Sequence, residues 1–339
     1  MDNRRAGHRV RARSRSAAVT PRESDEASPP LLANGDRGGS SRSTRAAGVE
    51  SVAALMAKLV RRTEGGGTSR CGWVTAGGVE WIGSDALAAL EAGGPPANGA
   101  EPDAEGLVRP LDPPEVWAAG VTYDRSRQAR IEESRLADDV YSRVYDAVRP
   151  ELFLKDAACR RTVGPGATIG VRSDGRWTVP EPELALVIGR GGRIVGATAA
   201  NDVTARDIEA ENPLYLPQAK IFAGACAIGP AVLTSDEWPE SFAISCRILD
   251  RDGANVWAGE TSTGSMRRTF EELVAWLVRD NPVPPGSVLL TGTGLVPPDA
   301  ISLVPGQRVE ISVTGIGTLV NAVGAAADLL RDERSAGDG

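Results

Sequence analysis

The chain has 339 residues, 41% of them hydrophobic, with a formal net charge of −7 and an isoelectric point near 5.1. This length suffices for one large domain plus a small one. The acidic balance argues against nucleic acid as the main partner, because phosphate binding needs a basic face. No apolar run reaches the roughly 18 residues of a membrane helix, so we expect no membrane partner either.

The first 48 residues are rich in Arg, Ser, Gly and Asp and poor in bulky apolar side chains. Such a segment buries too little surface to offset the entropy of ordering, so 1–48 is expected to be a disordered arm. We expect a small α+β domain over 49–112, a main domain over 113–330 and a disordered tail over 331–339.

The small domain shows helix and strand patterns without recognisable chemistry. Val52, Leu55, Met56 and Leu59 fall at helical spacing and predict a short amphipathic helix. Two strands are expected over 71–74 and 78–83, a helix capped by Ser84 or Asp85 over 84–92, and a loop over 93–103. We expect this unit to cover one end of the main domain.

The main domain opens with a strand over 117–123, which meets an arginine-rich helix over 126–135. The next strand, 151–155, alternates so that Glu151, Phe153 and Lys155 share one face. From the pattern alone, Lys155 within an apolar strand fits a gatekeeper on an exposed edge strand.

Two carboxylates two residues apart, Glu181 and Glu183, open an apolar run and project from the same face of a predicted strand. A Gly191-Gly192 turn would fold a second strand back and bring Asp202 close. An oxygen-only group of this kind favours Mg²⁺, or else Mn²⁺ or Ca²⁺, over zinc. The competing interpretation is a solvated acidic edge strand.

The remaining pattern is dominated by strands, which gives a β-rich α+β class. Strands are expected over 242–249, 254–260, 288–294, 308–313 and 317–321, and an amphipathic helix over 269–278. The glycine-flanked loop at 291–294 presents backbone N–H groups and hydroxyls to an anion.

Cysteine and histidine usage excludes several mechanisms. The cysteines, Cys71, Cys159, Cys226 and Cys246, are scattered and predict reduced core residues in a cytoplasmic protein. The chain has a single histidine, His8, which lies in the predicted arm. Mechanisms that need an imidazole to move a proton are therefore not available to the folded part.

The pattern of Glu181-x-Glu183, Asp202, Arg206 and Lys220, with the string 201–209 (Asn-Asp-Val-Thr-Ala-Arg-Asp-Ile-Glu), resembles the fumarylacetoacetate hydrolase family. The phrase Glu-Asn-Pro-Leu-Tyr-Leu-Pro-Gln-Ala-Lys at 211–220 is similar to the branch that contains 2-keto-3-deoxy-D-arabinonate dehydratases. The resemblance covers residues 113 to 323 and implies a mixed β-sandwich roll that forms a homodimer or higher homo-oligomer.

The resemblance also implies roles for individual residues. Glu181, Glu183 and Asp202 are expected to bind the metal and Lys220 to be the catalytic base, while either Glu151 or a metal-bound water is expected to help the C4 hydroxyl depart. Alternatives remain for Lys220, as a surface lysine paired with an acid, and for the arginines, as partners of acids in the next helix. The expected substrate-binding residues are Tyr123, Ser126, Arg127, Lys155, Arg206 and Thr293.

In one respect the chain departs from related hydrolases, which carry a catalytic histidine at the position of Ser126 or Ala129. The first hypothesis is therefore a Mg²⁺-dependent lyase that dehydrates a 2-oxo acid, such as a 2-keto-3-deoxy sugar acid, through a metal-stabilised enolate. The second is a C–C bond hydrolase or decarboxylase of an acylpyruvate or another β-dicarbonyl compound. The third is a non-catalytic family member that serves as a binding protein.

Overall fold

A computed structural model describes residues 56–65, 67–102, 105–133 and 139–330 of the chain. Within these ranges strands greatly outnumber helices, which confirms the predicted β-rich α+β class. The arm over 1–48 and the tail over 331–339 were predicted to be disordered, and both lie outside the described residues.

Most of the strands are short, and they are punctuated by glycine-rich turns. In chain order they are β1 Ala57–Thr63, β2 Ser69–Thr75, β3 Gly78–Trp81, β4 Glu115–Gly120, β5 Glu151–Ala157, β6 Thr162–Val163, β7 Thr168–Val171, β8 Thr178–Val179, β9 Pro182–Ile188, β10 Ile194–Asp202, β11 Thr204–Ala205, β12 Cys226–Thr234, β13 Ala243–Leu249, β14 Asn255–Ser262, β15 Val288–Leu290, β16 Arg308–Val313 and β17 Gly317–Ala325.

The helices are also short, and two of them begin at a side-chain cap. They are α1 Ala86–Ala92, α2 Asp124–Glu133, α3 Asp139–Asp146, α4 Arg206–Glu211, α5 Leu216–Lys220 and α6 Phe270–Leu277. Asp85 caps α1 and Thr269 caps α6, each by accepting a backbone N–H of the first turn, and the Asp85 cap was among those predicted. In the described part of the chain, no helix is both long and apolar enough to cross a membrane.

Two main sheets organise the described residues. The larger has ten strands in the order β3-β2-β1-β12-β10-β9-β15-β4-β5, with β6 pairing β12, and the smaller has five in the order β14-β13-β16-β17-β7. The strands β9 and β12 are buried along nearly their whole length, because both faces of the large sheet are covered at its centre. In contrast, β16 alternates between buried and more exposed residues, as expected for a sheet with one covered face.

The main core lies between the two sheets. Leu184, Leu186 and Ile188 of β9 belong to the same apolar cluster as Ile311 of β16 and Leu319 of β17. The opposite face of the large sheet, with Ala185 and Val187, joins a second cluster that includes Leu90 of α1. The alternation along β9 therefore fixes which face its carboxylates occupy, since Glu181 and Glu183 share parity with Ala185 and Val187.

One predicted element is wrong. The helix expected around Leu55–Leu59 is replaced by β1, which pairs with β2 on one side and with β12 on the other. The apolar residues at 56, 59 and 60 fit either structure locally, and the pairing with two neighbouring strands decides the outcome. Residues 51–55 lie outside the described ranges. The domain boundary at 112 stays a prediction, although β1 places part of the first segment in the large sheet.

The cysteines in the described residues are unpaired, as predicted. Burial raises the pKa of Cys226 and of Cys246 to about 12, so these thiols behave as small apolar core groups.

Candidate active site

Glu181, Glu183 and Asp202 come together where the β9–β10 hairpin opens. The turn around Gly191, with a φ of 69°, returns the chain, and the backbone N–H of Asp202 donates to the carbonyl of Glu181 at 2.9 Å. One carboxylate oxygen from each residue lies within 4.8 Å of the others, and all three side chains are buried. The hairpin geometry predicted from the sequence therefore produces the expected cluster.

Three buried basic side chains surround this cluster. The Lys220 ammonium donates to Glu181 at 2.6 Å, to Asp202 at 2.9 Å and to the Thr204 hydroxyl at 2.7 Å. Arg206 donates to the other oxygen of Glu181 at 2.8 Å. Lys155 pairs with Asp202 and also donates to the carbonyl of Val203 at 3.0 Å. Because Lys155 is fully buried, the gatekeeper interpretation of this residue is wrong, and so is the surface interpretation of Lys220.

Glu183 is held differently from the other two carboxylates. Its carboxylate accepts the backbone N–H of Gly292 at 2.5 Å. Burial raises its pKa well above the usual range, and the charges of Asp202 and Glu181 add to that rise. An ionised Glu183 in this position needs further positive charge close to it.

The donor set fits a hard divalent cation. It consists of carboxylate oxygens alone, clustered within 4.8 Å and buried, which is the ligand chemistry of Mg²⁺ and Mn²⁺ rather than zinc. Burial and the charges of Asp202 and Glu181 raise the pKa of Glu183, so its ionised form would be stabilised by a cation at this position. Glu181, Glu183 and Asp202 could thus hold the ion. Lys220 is also positively charged and would compete with the ion for these carboxylates.

A narrow cavity of about 20 Å³ reaches these carboxylates, and a wider one of about 250 Å³ adjoins it. We call them the inner and outer cavities. The inner cavity is lined by Glu181, Glu183, Asp202, Lys220, Phe153 and Thr293, among others. Glu151, Glu209 and Leu216 line both cavities and so mark the boundary between them.

Glu151, the predicted acid, begins β5 and reaches the boundary across Gly120 of the neighbouring strand. A Cβ atom at Gly120 would lie only 2.1 Å from a carboxylate oxygen of Glu151. Glycine at position 120 is therefore what allows this side chain to lie against the strand. No local pattern predicts that contact, because the two residues are far apart in the chain.

The other predicted substrate-binding residues fall into two groups. Thr293 lines the inner cavity, but its hydroxyl donates to the carbonyl of Pro182 at 2.9 Å. Tyr123 is buried beside the cluster, and its pKa is raised by burial and by the charge of Glu183. Its hydroxyl has no hydrogen-bond partner among the described residues.

Ser126 and Arg127 make local contacts at the start of α2. The Ser126 hydroxyl donates to the carbonyl of Tyr123 at 2.8 Å. Arg127 pairs with Asp124 of its own helix at 2.7 Å and lies 5.3 Å from the centre of the Tyr145 ring. Neither is among the described residues that line the inner or the outer cavity. Their role in substrate binding stays a prediction.

Glu209 was missed as a site residue by the sequence reasoning. It is 2% exposed and lies one helical turn after Arg206 in α4, with its carboxylate 3.9 Å from the Nε of Arg206. The i, i+3 spacing of an arginine and a glutamate was the available signal. Sequence alone gave no reason to place both of them inside the protein.

A second feature that the sequence did not predict is a pair of arginines, Arg267 and Arg268, that contact the C-terminal end of α3. Arg268 donates to the carbonyls of Ala147 at 2.6 Å and Val148 at 3.3 Å, and Arg267 donates to that of Tyr145 at 2.8 Å. These bonds satisfy carbonyls that a helix end leaves without partners. We call Arg267 and Arg268 the arginine clamp, and it holds the segment that leads into Glu151.

Comparisons with known proteins point to one family. The profile described as fumarylacetoacetate (FAA) hydrolase C-terminal matches residues 116–324. The chain is 49% identical over 222 residues to 2-dehydro-3-deoxy-D-arabinonate dehydratase of Saccharolobus solfataricus, which covers 64% of this chain and 74% of the relative. It is 52% identical over 216 residues to a probable 2-keto-3-deoxyxylonate dehydratase of Haloferax volcanii, covering 63% of this chain and 73% of the relative.

A solved structure described as 2-keto-3-deoxy-D-arabinonate dehydratase complexed with magnesium and 2,5-dioxopentanoate has the same fold. It matches with a TM-score of 0.70 at 39% identity, covering 79% of this chain and 99% of that chain. The matched region of the family profile includes the carboxylate cluster, its basic neighbours and the boundary residues Glu151 and Glu209.

Proposed function

The chain belongs to the fumarylacetoacetate hydrolase family, and from that membership we propose that it is a Mg²⁺-dependent dehydratase of a 2-oxo acid, specifically a 2-keto-3-deoxy sugar acid. The observation that carries the proposal is the buried group of Glu181, Glu183 and Asp202 with Lys220 at the end of a cavity. The relatives named for this activity supply the substrate class.

When bound, Mg²⁺ would supply a Lewis acid that polarises the 2-oxo group and makes the adjacent C3–H acidic. Glu181, Glu183 and Asp202 would hold it. The backbone N–H of Gly292 fixes Glu183, and Arg206 fixes Glu181, so two of the three carboxylates are oriented before any ligand enters.

Lys220 is the proposed base. In the structure its ammonium donates to Glu181, Asp202 and Thr204. With a divalent ion held by Glu181, Glu183 and Asp202, Lys220 would no longer be needed as their counter-charge and would favour the neutral amine that can accept the C3 proton. Thr204 keeps the amine in position through its hydroxyl.

Glu151 is the proposed acid. A 2-oxo acid whose first two carbons lie at the carboxylate cluster extends its C4 hydroxyl toward the boundary, where Glu151 lines both cavities. A protonated Glu151 gives its proton to that hydroxyl, which leaves as water while the C3–C4 double bond forms. The proton that Lys220 takes from C3 then returns to Glu151 through solvent, and both groups regain their starting states.

The hydrolase alternative needs a base that activates water. No histidine occurs in the chain beyond His8, so the residue that would fill this role in related hydrolases is missing. Direct proton transfer at C3, in contrast, requires only Lys220 and an acid. This difference favours the lyase over the hydrolase.

The experiment is a reaction with a 2-keto-3-deoxypentonate in the presence of Mg²⁺, followed by mass spectrometry. We expect a product lighter by one water, loss of turnover on chelation and its return when Mg²⁺ is added back. Cleavage of an acylpyruvate without dehydration of the sugar acid would contradict the proposal and favour the hydrolase.

We further propose that the enzyme acts as a homodimer in the cytoplasm. Family membership supports the first statement, and the unpaired cysteines of the described residues are consistent with a reducing compartment. Light scattering of the purified protein would test the first statement, and a monomer would contradict it.

A further inference from the structure

Glu183 is held by fewer contacts than the other two carboxylates of the cluster. Each of those two pairs with two buried basic side chains. In the part of the chain that the structure describes, the Glu183 carboxylate accepts one hydrogen bond, from the backbone N–H of Gly292. The direction of that N–H therefore has a large influence on where the Glu183 carboxylate points.

The N–H of Gly292 belongs to the same peptide unit as the carbonyl of Thr291. That carbonyl accepts the hydroxyl of Thr122 at 2.7 Å, and the N–H donates to Glu183 at 2.5 Å. Because a trans peptide unit is planar and its C=O and N–H point in opposite directions, a contact that fixes the carbonyl also fixes the N–H. The hydroxyl bond polarises the unit as well, which makes the N–H a stronger donor. Thr122 and Glu183 are thus joined through one rigid group.

The order of the strands explains why these segments meet. Strands β4 and β15 are parallel neighbours, and Ala118 pairs with Leu290 near the end of both. The segments that follow, 121–123 and 291–293, therefore leave the sheet at the same edge. Strand β9 is antiparallel to β15, so it begins at this edge and brings Glu183 there.

The two segments also pack closely. A Cβ atom at Gly292 would lie only 2.0 Å from the hydroxyl oxygen of Thr122 and 3.0 Å from the carbonyl oxygen of Ala119. Thr122 itself is fully buried. No side chain separates Thr122 from the 291–292 peptide unit, so a change at Thr122 acts on that unit directly.

The residue before Thr122 shows backbone strain. Val121 has a φ of 52°, in the left-handed region, which disfavours a β-branched side chain. Such a conformation persists only where surrounding contacts outweigh its cost, and it is found mainly at functional sites. Val121 lines the inner cavity, and the carbonyl of Thr122 accepts the N–H of Arg267 at 2.9 Å. The chain thus keeps an unfavourable turn that carries the Thr122 hydroxyl to the Thr291 carbonyl.

From these contacts we propose that Thr122 is a positioning residue of the metal site: its hydroxyl orients the 291–292 peptide unit, which in turn directs the Glu183 carboxylate toward the ion. The inference deepens the proposed function, since it takes Glu183 to be a metal ligand. Thr122 is not among the described residues that line the inner cavity, so it acts through Gly292. Without the hydroxyl, Glu183 is oriented less well, and Mg²⁺ demands near-ideal ligand geometry.

The test measures Mg²⁺ binding to the metal-free protein by calorimetry, with no substrate present. Thr122→Val replaces the hydroxyl with a methyl group, and Thr122→Ala removes it without adding bulk. We expect the dissociation constant for Mg²⁺ to rise by about tenfold in both variants, as when a group that orients a metal ligand is lost. Thr122→Ser keeps the hydroxyl and should bind Mg²⁺ about as tightly as wild type. If the methyl group of Thr122→Val prevents folding, Thr122→Ala still tests the inference.

The matched control is Thr198→Val in β10. The Thr198 hydroxyl is also buried, and it has no hydrogen-bond partner among the described residues. This variant should bind Mg²⁺ like wild type. The rise in melting temperature that Mg²⁺ causes is a second readout, because an ion stabilises the folded form that binds it. That rise should shrink in Thr122→Ala and stay unchanged in Thr122→Ser and Thr198→Val.

Wild-type affinity for Mg²⁺ in Thr122→Ala would overturn the inference. So would an equally large loss of affinity in Thr122→Ser or Thr198→Val, because the effect would then come from packing instead of the hydroxyl bond. If wild type bound no Mg²⁺, the metal site of the proposed function would itself fail. Normal binding by wild type and by Thr122→Ala would leave the proposed function standing and remove only the role of Thr122.

Discussion

The inner and outer ends of the cavity are built by different means. At the inner end, Glu183 and Asp202 lie on the neighbouring strands β9 and β10, and Glu181 directly precedes β9, so their positions follow from the hairpin and its backbone hydrogen bonds. At the outer end, Glu151 begins strand β5 and lies in the space that Gly120 leaves free. Glu209 lies on the short helix α4 and forms an ion pair with Arg206. The inner end is thus fixed by local structure, and the outer end depends on tertiary contacts.

The largest effect is expected at the inner end, from Glu183→Gln. An amide at this position removes one metal ligand, and we expect activity to fall by about 10³-fold or more at ordinary Mg²⁺ concentrations. The stabilisation that Mg²⁺ gives should disappear as well, since a ligand stabilises only the folded form that binds it.

Thermal unfolding with and without Mg²⁺ checks this prediction. Without the metal, the variant should melt at the same temperature as wild type or higher, because burial and the neighbouring charges already raise the pKa of Glu183 and make its ionised form costly. A variant that is less stable without metal, and equally active with it, would show that Glu183 serves the fold instead.

A smaller effect is expected at the boundary, from Glu151→Gln. Without a proton donor at the departing hydroxyl, kcat should fall by about 10²-fold, within the usual range for a positioned acid. The affinity for Mg²⁺ should be unchanged, because Glu151 is not part of the carboxylate cluster. Calorimetry with Mn²⁺ and steady-state kinetics would separate the two, and a loss of metal affinity would place Glu151 among the ligands.

The contrast between the two ends also explains what the sequence could predict. The spacing of Glu181 and Glu183 and the Gly191-Gly192 turn were sufficient to predict the carboxylate cluster, because strand alternation and hairpin return are local rules. Lys220 was predicted from the resemblance to the family, together with the absence of a histidine from the predicted folded part of the chain.

Features that arise from long-range packing were missed or misplaced. Three features depend on residues that are distant in the chain: the contact of Glu151 with Gly120, the burial of Glu209 and the arginine clamp. The periodicity of the sequence does not predict such contacts. The strand β1 was predicted as a helix for the same reason, since its partner β12 begins at Cys226. Local sequence patterns therefore predicted correctly those features that depend on residues close together in the chain.

The smallest effect is expected further out, at the arginine clamp. Arg268→Met removes donors to the carbonyls of Ala147 and Val148 and loosens the segment that leads to Glu151. We expect kcat to fall by about tenfold with little change in metal affinity, because a small misplacement of an acid slows the reaction without altering the metal site.

Two comparisons separate this positioning role from a general loss of stability. In the Glu151→Gln background, Arg268→Met should cost little more, since both changes act through the same group. Leu319→Ala, in the core between the sheets, should lower the melting temperature yet leave kcat unchanged at a temperature where the protein is folded. Additive effects of Arg268→Met and Glu151→Gln would contradict the positioning role.

The central claim is that Lys220 moves the C3 proton of a 2-oxo acid held at the carboxylate cluster, and proton exchange tests it most directly. The Mg²⁺-loaded protein is incubated in D₂O with 2-oxopentanoate, which has no leaving group, and deuterium at C3 is followed by NMR. We predict that wild type exchanges the C3 protons, that chelation stops the exchange, and that Lys220→Met slows it by about 10²-fold while 2-oxopentanoate still binds. Exchange at the wild-type rate in Lys220→Met, or none in wild type with bound ligand, would contradict the claim.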